Sequence, residues 1–492
     1  MGTPIPQNRA YFQAGELLIA TEGELVDGSV FMMGPLSGVS TDTRTLEPGA
    51  LFVALRGETF DGHDHLQAAA KAGARAALVE RDVQAPEGLY LIRVRSTLDA
   101  LGRLAKKHVA NWRARGGERR IVGVTGSAGK TTTRVAISAL LEQLRPGEVL
   151  ATRGNLNNRV GLPMVLLGLE EKHRLAVVEM GMNQPGEIEA LASVAEADAG
   201  VVTLVAAAHV EGVGSIEGVA HEKGALFRAL SPEGIAIANG DDPRVSAEME
   251  RSPARRRLRY GTAEGADIRV VERKPEGLTL SRVTLERPDR SRIGFDTPLI
   301  GEAGALACAA AVAVAESLLG VRVSGEMAEA AFARADVGGG GGRLVPRLLG
   351  GDVAVIDDSY NANPASSCAS IRTAAELARA SGRRLVLVLG AMFELGHESE
   401  RGHDEVGRAA AASGAAEVFA VHGDARRISD LASASGLTAR FYATSAEAAP
   451  AVVASVRPGD LLLVKGSRGV GTERIVRALV EARGAEGAEV AS

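Results

Sequence analysis

The segment Gly123-Val-Thr-Gly-Ser-Ala-Gly-Lys-Thr-Thr132 decides the fold of this chain. It follows a short apolar run at residues 121–124 and precedes a helical pattern at residues 134–144. A strand, a glycine-rich loop and a helix start in this order place backbone N–H groups and the positive end of the helix around one anion. The pattern predicts a phosphate-binding loop within a sheet of parallel strands that alternate with helices.

The nucleotide-binding residues predicted from this loop are Gly126, Ser127, Ala128, Gly129, Lys130, Thr131 and Thr132. Lys130 supplies a charge for the outer phosphates, and Thr131 offers a hydroxyl to Mg²⁺. The usual pattern has a glycine at position 124, where valine stands, so Gly123 and Gly126 shape the loop instead. The alternative is a glycine turn with an incidental lysine, which the strand–loop–helix context disfavours. The loop alone fits a kinase, a GTPase or a ligase, although the chain lacks an evident Asn-Lys-x-Asp segment for reading guanine.

Short apolar runs alternate with helical patterns on both sides of the loop. The predicted strands are residues 51–55, 76–79 and 90–94, then 121–124, 175–179, 200–205 and 235–238, then 352–356, 384–389, 417–421 and 461–464. This order predicts doubly wound parallel sheets with right-handed crossovers. The glycines at 338–342 indicate a linker, and we expect domains at residues 1–95, 96–336 and 337–492.

The composition favours a globular protein. With 492 residues, 46% of them hydrophobic, the chain can bury several cores, and its net charge of −5 disfavours nucleic acid as a partner. The two cysteines, Cys308 and Cys368, match neither a disulfide framework nor zinc spacing. No secretory signal is apparent, and the apolar stretch 304–319 contains Glu316, so we expect a cytoplasmic protein without membrane insertion.

Three further polar residues follow predicted strands or lie near them. Glu179 ends the strand at 175–179, where α/β sheets place ligands, and is the first candidate for Mg²⁺. His209 follows the strand at 200–205, and Lys223 lies on a predicted helix at 216–230. Taken singly, Glu179 fits a helix cap or a surface position nearly as well, whereas His209 and Lys223 fit an ordinary loop histidine and a solvated lysine better than a site. Only the combination of the three residues indicates a functional site.

Several stretches of the middle region resemble the Mur ligases, the ATP-dependent enzymes that extend the peptide of the peptidoglycan precursor. They are residues 125–133, Gly154-Asn-Leu-Asn-Asn158 with Gly161-Leu-Pro163, Glu179-Met-Gly181 with Gly186-Glu-Ile188, and Ala208-His-Val-Glu-Gly212 with Lys223-Gly224. The resemblance implies ATP and Mg²⁺ as cofactors, with Thr131, Glu179 and His209 at the metal. It also implies that Lys223 is carbamylated, which replaces an ammonium by an anion that supports a cation.

The resemblance extends over nearly the whole chain. It is carried by Gly38-Val-Ser-Thr-Asp-Thr-Arg44 near the start, and by Asp357-Asp-Ser-Tyr-Asn-Ala-Asn-Pro364, Gly390-Ala-Met-Phe-Glu-Leu-Gly396 and Val464-Lys-Gly-Ser-Arg468 near the end. The implied fold is α/β with three domains: a small N-terminal α/β domain for the UDP-sugar, a central parallel-sheet ATPase domain with the phosphate loop, and a Rossmann-like C-terminal domain.

The implied reaction joins D-Ala-D-Ala to a UDP-linked muramoyl tripeptide through an acyl phosphate, in a monomer. The implied catalytic residues are Lys130, Lys223, His209 and Arg343, the last reaching the γ-phosphate, with Asp357 and Asp358 near the ribose. The expected substrate-binding residues are Thr43, Arg44, Asn157, Asn158, Tyr360, Asn361 and Asn363. The alternatives are a sister ligase that adds a single diamino acid and a nucleotide-binding regulator without catalysis.

The chain departs from the family pattern where a Gly-x-His-Asn…Asn segment usually approaches adenine. Ala303, Gly304 and Ala307 stand at its three polar positions, and none offers a side-chain hydrogen bond. Each lost hydrogen bond is worth about 0.5–1.5 kcal/mol. We expect adenine to be read by backbone groups or base recognition to be relaxed. Ala391, where the family more often has an acidic residue, is a smaller departure.

Overall fold

The computed structural model describes residues 3–26, 33–207, 210–335 and 342–484. Its first sheet lies in the N-terminal part of the chain. The elements of this part are β1 (Tyr11–Phe12), α1 (Ala14–Thr21), β2 (Glu24–Leu25), β3 (Leu36–Ser37), β4 (Val39–Ser40), β5 (Leu51–Val53), α2 (Leu66–Lys71), β6 (Ala76–Val79) and β7 (Tyr90–Arg93). Strands β1 and β3 form a separate two-stranded ribbon. The sheet has the order β2-β7-β6-β5-β4, parallel except for β2. The three strands predicted here are confirmed.

A long helix, α3 (Thr97–Ala114), leads into the central sheet. The elements that follow are β8 (Arg120–Thr125), α4 (Lys130–Leu144), β9 (Val149–Ala151), α5 (Gly161–Leu166), β10 (Leu175–Glu179), α6 (Glu187–Ala195), β11 (Ala199–Val202), α7 (Val210–Val213), α8 (Ile216–Arg228), β12 (Ile235–Asn239), α9 (Pro243–Met249) and β13 (Arg256–Gly261). These strands are parallel, and β8 lies between β10 and β11. The inner strands β8, β10, β11 and β12 are buried on both faces, as expected for parallel strands covered by helices.

The central sheet continues into an antiparallel extension that the sequence did not lead us to expect. It comprises β14 (Ile268–Glu276), β15 (Leu280–Glu286) and β16 (Arg292–Thr297), and two helices follow, α10 (Gly301–Leu319) and α11 (Gly325–Phe332). Buried and exposed residues alternate along β14, β15 and β16, which is typical of a sheet with one wet face. These strands were not predicted because charged residues interrupt the continuous apolar runs from which the other strands were predicted.

The helix α10 packs between the central sheet and α4. By length and composition it could cross a membrane, but 67% of its apolar window is buried. Its apolar side chains belong to one core with α4 and the central strands. It is therefore a core helix, as predicted for residues 304–319.

The C-terminal part forms the third large sheet. Its elements are β17 (Val345–Leu349), β18 (Val353–Asp358), α12 (Pro364–Ser381), β19 (Arg384–Gly390), α13 (Ser399–Ala412), β20 (Glu417–Val421), α14 (Arg426–Ala434), β21 (Thr438–Tyr442), α15 (Ser445–Ser455), β22 (Asp460–Lys465) and α16 (Glu473–Arg483). The order is β17-β18-β22-β19-β20-β21, parallel except for the edge strand β17. The four strands predicted here are confirmed.

The sheet order sets the position of the site. The chain leaves β8 for the edge strand β9, returns to β10 beside β8, and then crosses to β11 on the other side. Such a reversal opens a crevice at the carboxyl ends of the strands, where α/β proteins bind ligands. The proposed boundary near 336 and the glycines 338–341 lie outside the described residues, so the domain boundaries stay predictions.

Candidate functional site

The phosphate loop connects β8 to α4 and is shaped by glycines. Gly126 has φ +148°, and a Cβ there would lie 2.0 Å from Thr203 Oγ1. Gly129, at the N-terminus of α4, has φ +80°, in the left-handed region that favours glycine. Lys130 Nζ donates to the carbonyl of Gly126 at 2.7 Å, so the lysine lies folded over the loop whose anion it is predicted to bind.

The loop is fastened to the segment that follows β11. The Ser127 amide donates to the Leu204 carbonyl at 2.6 Å, and the Ser127 hydroxyl donates to the Ala206 carbonyl at 3.1 Å. Thr203 Oγ1 donates to the Ala128 carbonyl at 2.5 Å. These bonds fix the loop before any ligand binds, which reduces the ordering cost of binding.

Glu179, at the end of β10, lies beneath the loop and is only 1% exposed. Its carboxylate accepts from Thr131 Oγ1 at 2.9 Å and from Asn157 Nδ2 at 2.8 Å. Burial alone would raise the pKa of Glu179, but the charges of Arg343 and Lys130 outweigh it and hold the pKa below its usual value. Glu179 is therefore an anion at neutral pH, directed at the predicted metal ligand Thr131.

Lys223, on α8, is buried rather than solvated, with 1% exposure. Its Nζ has no hydrogen-bond partner among the residues that the structure describes. Burial, and then the charge of Lys130, lowers the pKa of Lys223 well below its ordinary value. A buried amine without a partner is costly, and conversion to a carbamate would give this position oxygen atoms that can bind polar groups and a cation.

His209 lies outside the described residues, so its roles as a ligand of Mg²⁺ and as a catalytic residue stay predictions. Within the described part of the chain, no cluster of three or more His, Cys, Asp or Glu residues forms a metal site. A magnesium ion needs only one or two protein carboxylates, because water and phosphate oxygens complete its shell. Thr131 and Glu179 meet that requirement, and the neighbouring Lys223 could add a carbamate oxygen.

The C-terminal sheet supplies the opposite wall of the site. Asn363 caps α12, and its Nδ2 donates to the Ser127 carbonyl at 3.2 Å, which joins this wall to the phosphate loop. The guanidinium of Arg343 lies over the ring of Tyr360, 4.0 Å from the ring centroid. Arg343 Nε is buried without a hydrogen-bond partner among the described residues. The stacking holds Arg343 close enough to Glu179 to lower the pKa of that carboxyl.

The two aspartates that end β18 have different surroundings. Asp358 accepts from Lys465 Nζ and Ser370 Oγ, both at 2.6 Å, and it lines the cavity. Asp357 accepts from Ser359 Oγ at 2.6 Å and from Arg347 at 3.2 Å, and it is not among the lining residues. Asp358 thus faces the cavity, whereas Asp357 is held by Ser359 and Arg347, and the nucleotide contacts expected for both residues stay predictions.

A single cavity of about 900 Å³ brings most of the predicted residues together. Those that line it are Ser127, Ala128, Gly129, Lys130, Thr132, Asn157, Asn158, Glu179, Arg343, Asp358, Tyr360, Asn361 and Asn363. Those that do not line it are Gly126, Thr131, Lys223, Asp357, Thr43 and Arg44. Thr131 and Lys223 are buried, and Thr131 donates to Glu179, which lines the cavity. Thr43 and Arg44 lie in the N-terminal sheet region, where Arg44 is paired with Asp42 at 2.6 Å.

The departures from the family pattern lie at the start of α10. Ala303 lines the cavity. Gly304 is buried, and a Cβ there would lie 2.1 Å from the Leu299 carbonyl oxygen. Ala307 is 1% exposed and part of the core. Gly304 and Ala307 are therefore both buried, and of the three positions only 303 lines the cavity.

Sequence reasoning missed many polar residues of this region, among them Lys465, Arg134, Glu394 and Arg468. Lys465 is buried against Asp358, and Arg134 Nε lies 3.6 Å from Glu179. Glu394 and Arg468 line the cavity from two loops of the C-terminal sheet. Lys465, Glu394 and Arg468 stand inside segments that carry the resemblance, and their position at or within four residues of the carboxyl end of a buried strand was the available signal.

Comparison with known proteins agrees with this arrangement. Residues 35–109 match the Mur ligase family catalytic domain, residues 124–315 the Mur ligase middle domain, and residues 342–468 the Mur ligase glutamate ligase domain. A relative from Escherichia coli, UDP-N-acetylmuramoyl-tripeptide–D-alanyl-D-alanine ligase, is 38% identical over 458 residues, covering 91% of this chain and 94% of the relative.

Solved structures of similar proteins share the fold along the chain. The crystal structure of MurF from Acinetobacter baumannii is 29% identical with a TM-score of 0.83, covering 96% of this chain and 100% of that one. The MurF ligase from Thermotoga maritima, solved in complex with ADP, is 28% identical with a TM-score of 0.77, covering 90% and 97%.

Proposed function

The chain belongs to the Mur ligase family, and from this membership we propose that it joins D-alanyl-D-alanine to UDP-N-acetylmuramoyl-tripeptide. The reaction is ATP-dependent and belongs to peptidoglycan precursor synthesis. The observation that carries the proposal is one cavity in which the phosphate loop, the buried anion Glu179 and the Arg343–Tyr360 wall face each other. The relatives, whose names state this reaction, support the choice of substrates.

The chemistry requires that a poor electrophile be activated. The terminal carboxylate of the tripeptide attacks the γ-phosphorus of ATP, which gives an acyl phosphate and ADP. The neutral amine of D-Ala-D-Ala then attacks the acyl carbon, the amide bond forms, and inorganic phosphate leaves with the former carboxylate oxygen while the amine loses its proton to solvent. Lys130 and Arg343 stabilise the charge that develops on the transferring group.

We propose that Thr131, Glu179 and His209 hold Mg²⁺ and that Lys223 carries a carbamate. The bound cation would neutralise phosphate charge. The carbamate forms when the neutral amine of Lys223 attacks CO₂ and releases one proton. Burial, which lowers the pKa of Lys223, raises the fraction of this amine that is neutral.

The remaining predicted residues are assigned by position. We place the tripeptide end of the acceptor at Asn157 and Asn158, and the UDP end at Thr43 and Arg44. Asp358 faces the nucleotide, while Tyr360, Asn361 and Asn363 form the C-terminal wall. Of these, Asn157 already donates to Glu179 at 2.8 Å, which links the acceptor side of the cavity to the metal side.

The same proposal covers the wider setting of the enzyme. One chain supplies every described wall of the cavity, which supports a monomer as the working unit, with domains at residues 1–95, 96–336 and 337–492. ATP and UDP-linked acceptors are cytoplasmic metabolites, so we place the protein in the cytoplasm, without membrane insertion or nucleic acid partners.

Dependence of ADP release on the amine donor tests this function. Purified enzyme with ATP, Mg²⁺ and UDP-linked tripeptide is given D-Ala-D-Ala, lysine, diaminopimelate or no donor. We expect D-Ala-D-Ala alone to stimulate ADP release, together with a product heavier than the acceptor by one dipeptide residue. Stimulation by a single diamino acid instead would identify a sister ligase, and no stimulation by any donor would contradict an enzymatic role.

A further inference from the structure

Lys465, the last residue of β22, is a buried lysine that the proposed chemistry does not use. It is 3% exposed, and its Nζ donates to Asp358 Oδ2 at 2.6 Å and to the Asn361 carbonyl at 3.0 Å. Strands β18 and β22 are neighbours, and Lys465 stands opposite Asp358 in their register. Two charges buried together cost desolvation energy, and the contacts around them show what they hold in place.

The carboxylate of this pair is the centre of a hydrogen-bond network. Asp358 Oδ2 also accepts from Ser370 Oγ of α12 at 2.6 Å. Asp358 Oδ1 accepts from the backbone amide of Leu344 at 3.2 Å. Leu344 directly follows Arg343 in the sequence. Asp358 therefore connects Lys465 to the segment that carries Arg343.

The backbone on the other side of Arg343 is held as well. The Tyr360 amide donates to the Gly342 carbonyl at 3.0 Å. A Cβ on Gly342 would lie 2.4 Å from Asp357 Oδ1 and 2.6 Å from Ser359 Oγ, so glycine is needed for this close approach. The guanidinium of Arg343 covers the same Tyr360 ring at 4.0 Å. The end of β18 and the turn after it thus hold Arg343 through its side chain and through the residues on both sides of it.

The backbone at Leu344 is in the left-handed region, with φ +53°. A residue with a side chain is disfavoured there, and such strain persists where the surrounding structure over-determines it. The hydrogen bond from the Leu344 amide to Asp358 is one of these constraints. The direction in which Arg343 leaves the backbone therefore depends on the position of Asp358.

The charge of Lys465 keeps Asp358 and Arg343 from pairing with each other. Asp358 is 6% exposed and lines the same cavity as Arg343. Without a cation beside it, this carboxylate would attract another cation of the wall, because a buried charge without a partner is strongly disfavoured. With Lys465 in place, Asp358 is compensated, and Arg343 stays near Glu179, whose pKa its charge lowers.

We propose that Lys465 is a positioning residue for phosphoryl transfer, which, paired with Asp358, holds Arg343 in place for the γ-phosphate. Lys465 acts through Arg343, and its loss matters only as far as Arg343 moves. This inference rests on the proposed function, because that function assigns to Arg343 the stabilisation of charge on the transferring group.

A double-mutant cycle between Lys465 and Arg343 tests this coupling. Lys465→Met keeps the length of the side chain without its charge and is expected to lower kcat about 10²-fold, as for loss of one charge-stabilising donor, with the KM for the UDP-linked acceptor unchanged. In the Arg343→Ala protein, the same replacement should lower kcat by less than about threefold, because the group through which Lys465 acts is already absent. Equal factors in both backgrounds would overturn the inference.

Two further variants separate positioning from loss of structure. Asp358→Asn, added to Lys465→Met, removes the uncompensated charge and keeps the shape of the side chain, so kcat should rise again by about tenfold. Arg384→Met is the matched control, because Arg384 pairs with the buried Asp460 at 2.8 Å at the opposite end of the same sheet. It should lower Tm and leave the kcat of the folded enzyme unchanged. A loss of kcat as large as that of Lys465→Met would overturn the inference.

A milder variant covers the case in which Lys465→Met does not fold. Ser370→Ala removes one donor to Asp358 and keeps both charges of the pair. It should lower kcat by about fivefold, comparable to the loss of one hydrogen bond, and should have no effect in the Arg343→Ala protein. The same loss in both backgrounds would overturn the inference.

Nucleotide binding gives a measurement that needs no catalysis. Isothermal titration calorimetry yields the Kd for ADP and for AMP-PNP, a non-hydrolysable analogue that retains a γ-phosphoryl group. Arg343→Ala should lower the ratio of these two constants, ADP over AMP-PNP, by about tenfold, as loss of a charge-assisted contact predicts. Lys465→Met should lower it to a similar extent, and a wild-type ratio in that variant would overturn the inference.

These measurements distinguish failure of the inference from failure of the function. Turnover with D-Ala-D-Ala tests the function, whereas coupling between Lys465 and Arg343 tests the inference. Activity with a single amino acid would overturn the function, and the same cycle measured with that donor would still decide the inference. For a protein that binds nucleotide without ligase activity, the binding ratio decides it. A protein that binds neither ADP nor AMP-PNP would overturn both.

Discussion

The phosphate end of the cavity and its base end differ in what the chain supplies for recognition. At the phosphate end, backbone amides, Lys130 and the buried anion Glu179 converge, and each is fixed by bonds within the fold. At the base end, α10 presents Ala303, and Gly304 is closed off by the Leu299 carbonyl. The polar side chains nearby bond to the protein itself, as Asn239 does to Thr203 and to Asp241. We therefore expect anchoring of the phosphates and recognition of the base to be separable in this enzyme.

The largest expected effect is at the phosphate end. Lys130→Ala should lower kcat by about 10³-fold, because a charge placed at the transferring group is worth several kcal/mol, about 3–4 by analogy with a lost oxyanion donor. Steady-state ADP release measures the change. Lys172→Ala removes an exposed lysine that is paired with Glu170 and should have no effect. A Lys130→Ala variant with near-normal kcat would contradict the claim that the phosphate end of the cavity supplies most of the recognition.

The second largest expected effect follows from replacement of Lys223, which is buried near the phosphate end of the cavity. Lys223→Ala should lower kcat by about 10²-fold if the carbamate supports the cation, since metal ligands and their supports typically cost 10- to 100-fold. Added acetate or formate should restore part of the activity by supplying the missing carboxylate. Exposed Lys71, replaced by alanine, is the control.

The pH dependence of the wild-type enzyme follows from the same residue. Burial lowers the pKa of Lys223, so the amine is neutral above this folded-state pKa and can take up CO₂. As pH falls through the pKa, the amine gains a proton and the carbamate is lost. Activity in CO₂-depleted buffer should therefore fall at acid pH and recover with bicarbonate. A ¹³C carbamate signal that is absent at every pH would contradict this account.

The smallest expected effect is at the base end. With no side-chain donor or acceptor at positions 303, 304 and 307, GTP and ITP should support ligation with kcat/KM within about tenfold of ATP, a difference of about 1.4 kcal/mol, comparable to one hydrogen bond. GTP and ITP both carry a carbonyl in place of the 6-amino group of adenine, and comparison of the two isolates the 2-amino group of guanine. Rejection of GTP by 10³-fold or more would show that backbone groups read the base, and the two ends would then be equally selective.

The sequence predicted most of the parallel framework because each buried strand is a short apolar run between turn residues. It predicted the phosphate loop for a related reason, since backbone geometry there is encoded by Gly126 and Gly129 next to Lys130. Both signals are local. The antiparallel strands β14–β16 were missed because their alternating charged residues resemble loops when read without the sheet.

Other features depend on distant contacts and could not be read locally. By itself Lys223 looks solvated, and only packing of α8 against the central sheet buries it. Asp357 and Asp358 are adjacent and identical in type, yet the pleat directs only Asp358 to Lys465 and the cavity. Glu394 and Arg468 are 74 positions apart in sequence and lie on one wall because β19 and β22 are paired.

The most direct test of the account is the fate of the oxygen of the acceptor carboxylate. UDP-linked tripeptide with an ¹⁸O-labelled terminal carboxylate is incubated with ATP, Mg²⁺ and D-Ala-D-Ala, and the released phosphate is examined by mass spectrometry. Activation by phosphorylation in this cavity predicts one ¹⁸O atom in each phosphate and one in the new amide. Unlabelled phosphate would contradict it, because ATP cleavage would then proceed without the acyl phosphate.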